Sequence, residues 1–240
     1  PQDEWKDLVT TYEVGEDIEF QNGKLTLEFT GNRVVALPAQ GDDAASLEVR
    51  IDGKKPSEYI SCYAPTRTSG CPGVDWPALL RVDFQTIPLV EDWTLTVDEV
   101  RKPNTDFTFH VEGSKTGPDG SGNSLEKFVS DSGRCVIEPE MWKNLERDRK
   151  YMVNKQQDTP LKPGFEVKWS IIPEFVDRYE PVQVKDPSRE YITVLAQDLP
   201  PGKHTLELTV VGVGTPRLKA LRVYNPPVNG PMEIVANPHR

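Results

Sequence analysis

The side chains with the most chemical potential lie in and just after a short segment flanked by two cysteines. Cys62 and Cys71 enclose a stretch rich in Pro, Gly, Ser and Thr, which cannot form a regular element by itself. A disulfide across so short a loop would add roughly 2–3 kcal/mol by chain-entropy estimates. We expect a Cys62–Cys71 disulfide, with two free thiols as the alternative. The bridge would indicate a secreted or periplasmic protein.

Aromatic rings stand beside polar side chains in this region. Sugars present apolar C–H faces that lie on aromatic rings, and their hydroxyls hydrogen-bond to carboxylates, amides and Arg. The candidate ligand-binding residues are Tyr63, Arg67, Asp75, Trp76, Asp92 and Trp93. The alternative for each Trp is an ordinary place in the core. Loop placement favours Tyr63 and Trp76 over Trp93.

A second candidate site is the oxygen-rich stretch at residues 117–124, Gly-Pro-Asp-Gly-Ser-Gly-Asn-Ser. Asp119, Asn123 and backbone carbonyls there are of the type that binds a structural Ca²⁺. The alternative is a surface loop without metal, because the stretch lacks the dense acidic pattern of an EF-hand loop. No cofactor is required by any pattern in the chain.

Catalytic motifs are missing from the sequence. We find no G-x-S-x-G, no H-E-x-x-H, no P-loop and no dinucleotide-binding G-x-G-x-x-G. The neighbouring carboxylates Glu91 and Asp92, or Glu138 and Glu140, could serve glycoside hydrolysis, but sequence spacing does not set their separation in space. We therefore predict a binding protein, with an unrecognised β-sandwich polysaccharide lyase or hydrolase as the least favoured reading.

Charge and hydropathy exclude other partners. The 240 residues carry a net charge of −10 with a pI near 4.9, which disfavours nucleic acid and anionic membrane surfaces. No apolar run approaches the roughly 20 residues of a membrane-spanning helix, so we predict no membrane insertion. The chain starts at Pro1 and shows no signal peptide, so we expect a processed or trimmed chain.

Alternating apolar and polar residues predict the elements that must position these side chains. The alternation is clearest in residues 20–54 and 191–224 and has the period of a sheet with one buried face. Asn22-Gly23 and Asp52-Gly53 predict tight turns, the first joining strands 12–20 and 24–29 in a hairpin. Strands are also expected at 33–38, 46–51, 79–88, 93–100, 107–113 and 165–172. Only residues 139–153 look helical.

These patterns predict an all-β fold, a jelly-roll β-sandwich with a large, mostly-β insertion and one short helix. Residues 1–60 and 188–226 would form a discontinuous sandwich, 61–187 the inserted region and 227–240 a tail or linker.

Three segments carry a resemblance to a known family. Residues 25–37 (Leu-Thr-Leu-Glu-Phe-Thr-Gly-Asn-Arg-Val-Val-Ala-Leu), 49–53 (Val-Arg-Ile-Asp-Gly) and 199–208 (Leu-Pro-Pro-Gly-Lys-His-Thr-Leu-Glu-Leu) resemble the galactose-binding-like jelly roll that accompanies SGNH/GDSL-type carbohydrate esterases. The resemblance covers roughly 70 residues, and its short motifs fix turns and core positions. It therefore implies the fold more directly than an activity.

The chain departs from such esterases where their catalysis resides. The Gly-Asp-Ser nucleophile block and the late Asp-x-x-His block are both missing. The resemblance thus implies a non-catalytic, secreted carbohydrate-binding or accessory sandwich, with a polysaccharide or glycan and a linked catalytic hydrolase domain as partners. A structural or protein-interaction sandwich of the cell envelope is the alternative.

Overall fold

A computed structural model describes residues 8–70, 77–102, 105–142 and 161–226. Its architecture confirms the predicted all-β sandwich. The chain forms two compact units, one comprising Pro1–Ser57 with Glu174–Arg240 and the other Glu58–Pro173. The junctions predicted from the sequence are after residue 60 and before residue 188. The strands are β1 Val9–Glu13, β2 Lys24–Thr30, β3 Arg33–Pro38, β4 Ser46–Ile51, β5 Tyr63–Pro65, β6 Asp92–Lys102, β7 Asp106–Gly113, β8 Gly117–Asn123, β9 Phe128–Val129, β10 Val136–Ile137, β11 Glu166–Pro173, β12 Arg178–Tyr179, β13 Thr193–Ala196, β14 Lys203–Val211 and β15 Leu218–Tyr224.

The first unit contains two four-stranded antiparallel sheets, ordered β1-β15-β3-β13 and β12-β4-β14-β2. β14 lies between β2 and β4, so the N-terminal and C-terminal stretches of alternating sequence share one sheet. In β2, buried Leu25, Leu27 and Phe29 alternate with exposed residues, as expected for a strand with one buried face. β3 is buried along almost its whole length, which explains its continuous apolar run.

Both predicted tight turns are present, but the first does not join two strands. Asn22-Gly23 and Asp52-Gly53 have positive φ at both residues, the backbone of a type I′ turn. The predicted strand 12–20 is wrong beyond β1, which ends at Glu13. A turn follows at once, in which the Asp17 carboxylate accepts the Glu13 N–H at 2.9 Å. β1 then pairs with β15 and β2 with β14.

The second unit contains a five-stranded antiparallel sheet, ordered β5-β11-β6-β7-β8, and the β9–β10 hairpin. One face of the sheet carries a buried aromatic core, in which Phe107 packs edge-on against Trp142 at 4.8 Å between ring centroids. Phe109 makes a similar contact with Phe128 at 5.2 Å.

Three expected elements of this unit differ from prediction. The expected loop at 117–124 is the edge strand β8, in which Gly122 lacks the Cβ that would collide with the Phe128 ring. The expected strand at 79–88 is irregular and forms only isolated bridges at Leu79 and Asp83. The expected helix at 139–153 begins as a 3-10 turn at Pro139–Met141, and residues 143–153 lie outside the described residues.

The described residues contain no helix that is both long enough and apolar enough to cross a membrane.

Candidate functional site

Trp93 is a core residue of the second unit. Its side chain is 1% exposed, and its ring stacks on Trp169 with 6.1 Å between centroids and 3° between planes. The two residues face each other across β6 and β11, so strand pairing itself places the rings together. The prediction that Trp93 offers a stacking face to a ligand is therefore wrong for this structure.

The structure describes three of the other candidate residues. Tyr63 lies in β5 and is half-buried against the aromatic core, and Arg67 is exposed in the chain that follows. The Asp92 carboxylate accepts a hydrogen bond from the Ser170 hydroxyl at 2.5 Å. Asp75 and Trp76 lie outside the described residues.

The Cys62–Cys71 disulfide stays a prediction, because Cys71 lies outside the described residues. Cys62 is fully buried at the end of a 3-10 turn, and no disulfide joins it to Cys135, the other described cysteine. Burial raises the pKa of the Cys135 thiol, with a further contribution from the Asp119 charge. Cys135 thus remains a protonated, apolar core residue.

The two residues proposed for Ca²⁺ already bind protein donors. Asp119 accepts the Ser132 N–H at 2.9 Å and the Ser132 hydroxyl at 2.6 Å. The Asn123 amide oxygen accepts the N–H groups of Leu125 and Glu126. In the described part of the chain, no group of three or more His, Cys, Asp or Glu is arranged to hold a metal ion. Both side chains therefore have structural roles.

Three of the four carboxylates considered for hydrolysis, those of Glu91, Asp92 and Glu138, also bind other groups of the protein. Glu91 is 5% exposed, and its carboxylate accepts the N–H groups of Lys115 and Thr116 and the Thr116 hydroxyl. Glu138 pairs with Lys127 at 2.6 Å. These contacts indicate that Glu91 and Glu138 have structural roles.

A concavity in the first unit involves none of the predicted residues. A cleft of about 410 Å³ is lined by Leu8, Val9, Asn32, Arg33, Gln197, Asp198, Tyr224 and Pro226. Arg33 and Tyr224 face each other across β3 and β15. The Arg33 guanidinium lies over the Tyr224 ring, 4.9 Å from its centroid, a cation–π contact. The cleft therefore combines apolar walls with a few convergent polar groups, as ligand sites do.

A pair of carboxyl groups borders this cleft. Burial raises the pKa of Glu174, and the Asp198 charge and a hydrogen bond to the Asp198 carboxyl raise it further, against the opposing effects of Gln197 and Arg33. Gln197 donates to Glu174 at 3.0 Å. Asp198 has φ of +59°, a left-handed backbone that Asp tolerates better than most residues.

The backbone at Gly31 and Asn32 lies close to the backbone at Tyr224, at one end of the cleft. The chain turns at Gly31 and Asn32 between β2 and β3, and the Asn32 N–H donates to the Tyr224 carbonyl at 3.0 Å. A Cβ on Gly31 would overlap that same carbonyl oxygen, so glycine is required for β15 to lie this close.

Sequence reasoning missed this cleft because its walls come from distant strands. The only local signal is that Arg33 begins the otherwise apolar β3 and that Tyr224 ends β15, which also carries Lys219 and Arg222. Nothing in either strand alone gives the register that pairs them.

Comparison with known proteins adds no assignment. No protein-family model, no curated protein and no solved structure matches the chain. The resemblance to galactose-binding-like jelly rolls accordingly remains a prediction.

Proposed function

We propose that the chain is a non-catalytic, carbohydrate-binding β-sandwich, secreted or periplasmic, that acts beside a polysaccharide-active hydrolase or esterase. The observation that carries the proposal is the Arg33–Tyr224 cleft. Its volume of about 410 Å³ falls within the range of small-ligand sites.

The chemistry of the cleft suits a sugar. The apolar Leu8 and Val9, with the part of the Tyr224 ring that Arg33 leaves uncovered, can contact the C–H faces of a pyranose ring. Gln197, Asn32 and the Arg33 guanidinium can hydrogen-bond its hydroxyls. Apolar side chains beside amide and guanidinium groups therefore support saccharide binding better than binding of a wholly apolar ligand.

The bordering carboxyls favour binding over hydrolysis. Glycoside hydrolysis commonly uses two carboxyl groups about 5–9.5 Å apart, with the sugar between them. The Asp198 carboxyl raises the pKa of Glu174, which indicates two closely coupled carboxyls rather than a pair set apart around a sugar.

The test is a glycan array and a polysaccharide pull-down with the wild-type chain, Tyr224→Ala and Tyr63→Ala. We expect Tyr224→Ala to reduce binding at least about tenfold, which corresponds to about 1.4 kcal/mol. The matched control Tyr63→Ala should bind as wild type, because Tyr63 belongs to the other unit. Gln197→Leu, at the same cleft, provides a second variant should Tyr224→Ala fail to fold.

The opposite pattern in the two tyrosine variants would support the site predicted from sequence at residues 62–76. Loss of binding in Tyr63→Ala alone would show that the 62–76 region holds the ligand. No binding to any glycan by a folded chain would refute the proposal. Self-association in light scattering would then favour the alternative of a protein-interaction sandwich, for which the half-exposed Leu80, Ile87 and Val90 are the supporting observation.

A further inference from the structure

The first unit has a recess at each end of β3, lined at one end by Arg33 and at the other by Leu37. Side chains at positions 33, 35 and 37 point to one face, because strand side chains alternate. The Arg33–Tyr224 cleft lies at the first end. A second recess of about 610 Å³ lies at Leu37, and the two strand positions are about 13 Å apart at roughly 3.3 Å per residue.

The second recess has the same kinds of groups as the first. Leu37 and Pro38 form apolar lining, Tyr191 supplies an aromatic ring, and Lys219 and Arg189 supply cations. The Tyr191 hydroxyl accepts the Asp186 N–H at 3.3 Å, which helps hold the wall of the recess.

Polar groups continue between the two recesses. Arg222, on β15 between Ala220 and Tyr224, donates two hydrogen bonds to the Glu190 carboxylate, at 2.7 and 2.8 Å. The Tyr224 hydroxyl is a further neighbour of the Arg222 guanidinium. Glu190 in turn lines the second recess, and its side chain is 53% exposed. A ligand lying along the face would therefore meet hydrogen-bonding groups between the two tyrosines.

We infer that the ligand is an extended oligosaccharide that occupies both recesses along β3, rather than a single or terminal sugar. This inference rests on the proposed function. One sugar ring contacts Tyr224, a second contacts Tyr191, and the intervening hydroxyls contact the Glu190–Arg222 pair. Between the recesses, Val35 and Ala220 are completely buried, so the ligand lies over the side chains that cover them and not against the strand itself.

The test is calorimetric titration of the full chain with soluble oligosaccharides of β-linked glucose, xylose or galactose, from one sugar to about six. We expect affinity for the recognised series to rise at least about tenfold between the shortest and longest members. Tyr191→Ala should abolish this gain while leaving binding of the shortest member unchanged. If Tyr191→Ala does not fold, Lys219→Ala, at an exposed position of the same recess, provides a second variant for the same measurement.

Two results separate this inference from the proposed function. Affinity that is independent of length, with binding still lost in Tyr224→Ala, would overturn the extended ligand and leave the saccharide site intact. No binding to any member of any series, together with a negative glycan array, would overturn both.

Discussion

Glu174 is a titratable residue beside the cleft, and its environment in the folded protein changes its pKa. Its pKa is raised above the ordinary value of 4.5 by burial and by Asp198. A carboxyl with a raised folded pKa favours folding while protonated. That contribution is complete below the ordinary value and is lost as the pH rises through the raised value.

We therefore predict that Glu174→Gln becomes more stable relative to wild type as the pH is raised from about 4 to 7. The glutamine cannot ionise beside Asp198, so the variant avoids the loss. Denaturant midpoints at several pH values measure the difference. Glu180→Gln, at an exposed position of the same unit, controls for the removal of one charge. Parallel curves for wild type and Glu174→Gln would contradict the prediction.

The roles of single residues were the hardest feature to predict from the sequence. Trp93 and Asp119 were chosen for their chemistry, but both are buried with protein partners. Burial is decided by strand register and by which face of a sheet is covered. Neither property can be read from a residue's immediate neighbours.

At the scale of elements, a buried histidine joins the turn after β4 to the start of β14. His204 Nδ1 lies 2.7 Å from the Asp52 carboxylate, and Nε2 lies 2.7 Å from the Pro200 carbonyl. Asp52 also accepts the Thr205 N–H at 2.7 Å. Both ring nitrogens are therefore used inside the fold, and the His204 ring packs against Phe29.

We predict that His204→Ala lowers the free energy of unfolding by about 1–3 kcal/mol, because it removes buried hydrogen bonds. His110→Ala is the matched control, since His110 makes a similar 2.6 Å contact with Asp98 at an exposed position. Exposed ion pairs contribute at most about 1 kcal/mol, so the control should change little. Equal losses in the two variants, measured by denaturant unfolding, would show that burial is not what makes the His204 contact important.

Elements were better predicted than residues wherever alternation and turn signals agreed. The bounds of β3 and β4 match the predicted strands, and both Gly-containing turns are present. β8 was missed because its Gly-rich composition is typical of loops. Its strand character comes from pairing with β7 and from packing under Phe128, which are tertiary effects.

At the scale of the whole molecule, hydrogen bonds within the first unit join the two chain segments that flank the insertion. The Ser57 N–H and hydroxyl both donate to the Asp177 carboxylate, at 2.9 and 2.7 Å. The two chain ends of the insertion are therefore close together within the first unit, as they commonly are where one domain interrupts another.

We predict that replacing residues 58–173 by a short Gly/Ser linker leaves a folded sandwich. The variant should show a β-type circular dichroism spectrum, a single cooperative unfolding transition and saccharide binding that still depends on Tyr224. An aggregated or unfolded product would show that the first unit needs the second to fold. A folded product that has lost all binding would assign the ligand site to the insertion.

The central position of β14 also bears on how the chain is made. β2 and β4 do not pair with each other and gain their shared partner only when residues 203–211 leave the ribosome. At roughly 5–20 residues per second, the N-terminal strands wait on the order of ten seconds with apolar faces uncovered. Long-range pairing of this kind is slow and prone to aggregation. We expect the strands to be open to pairing with wrong partners during that interval.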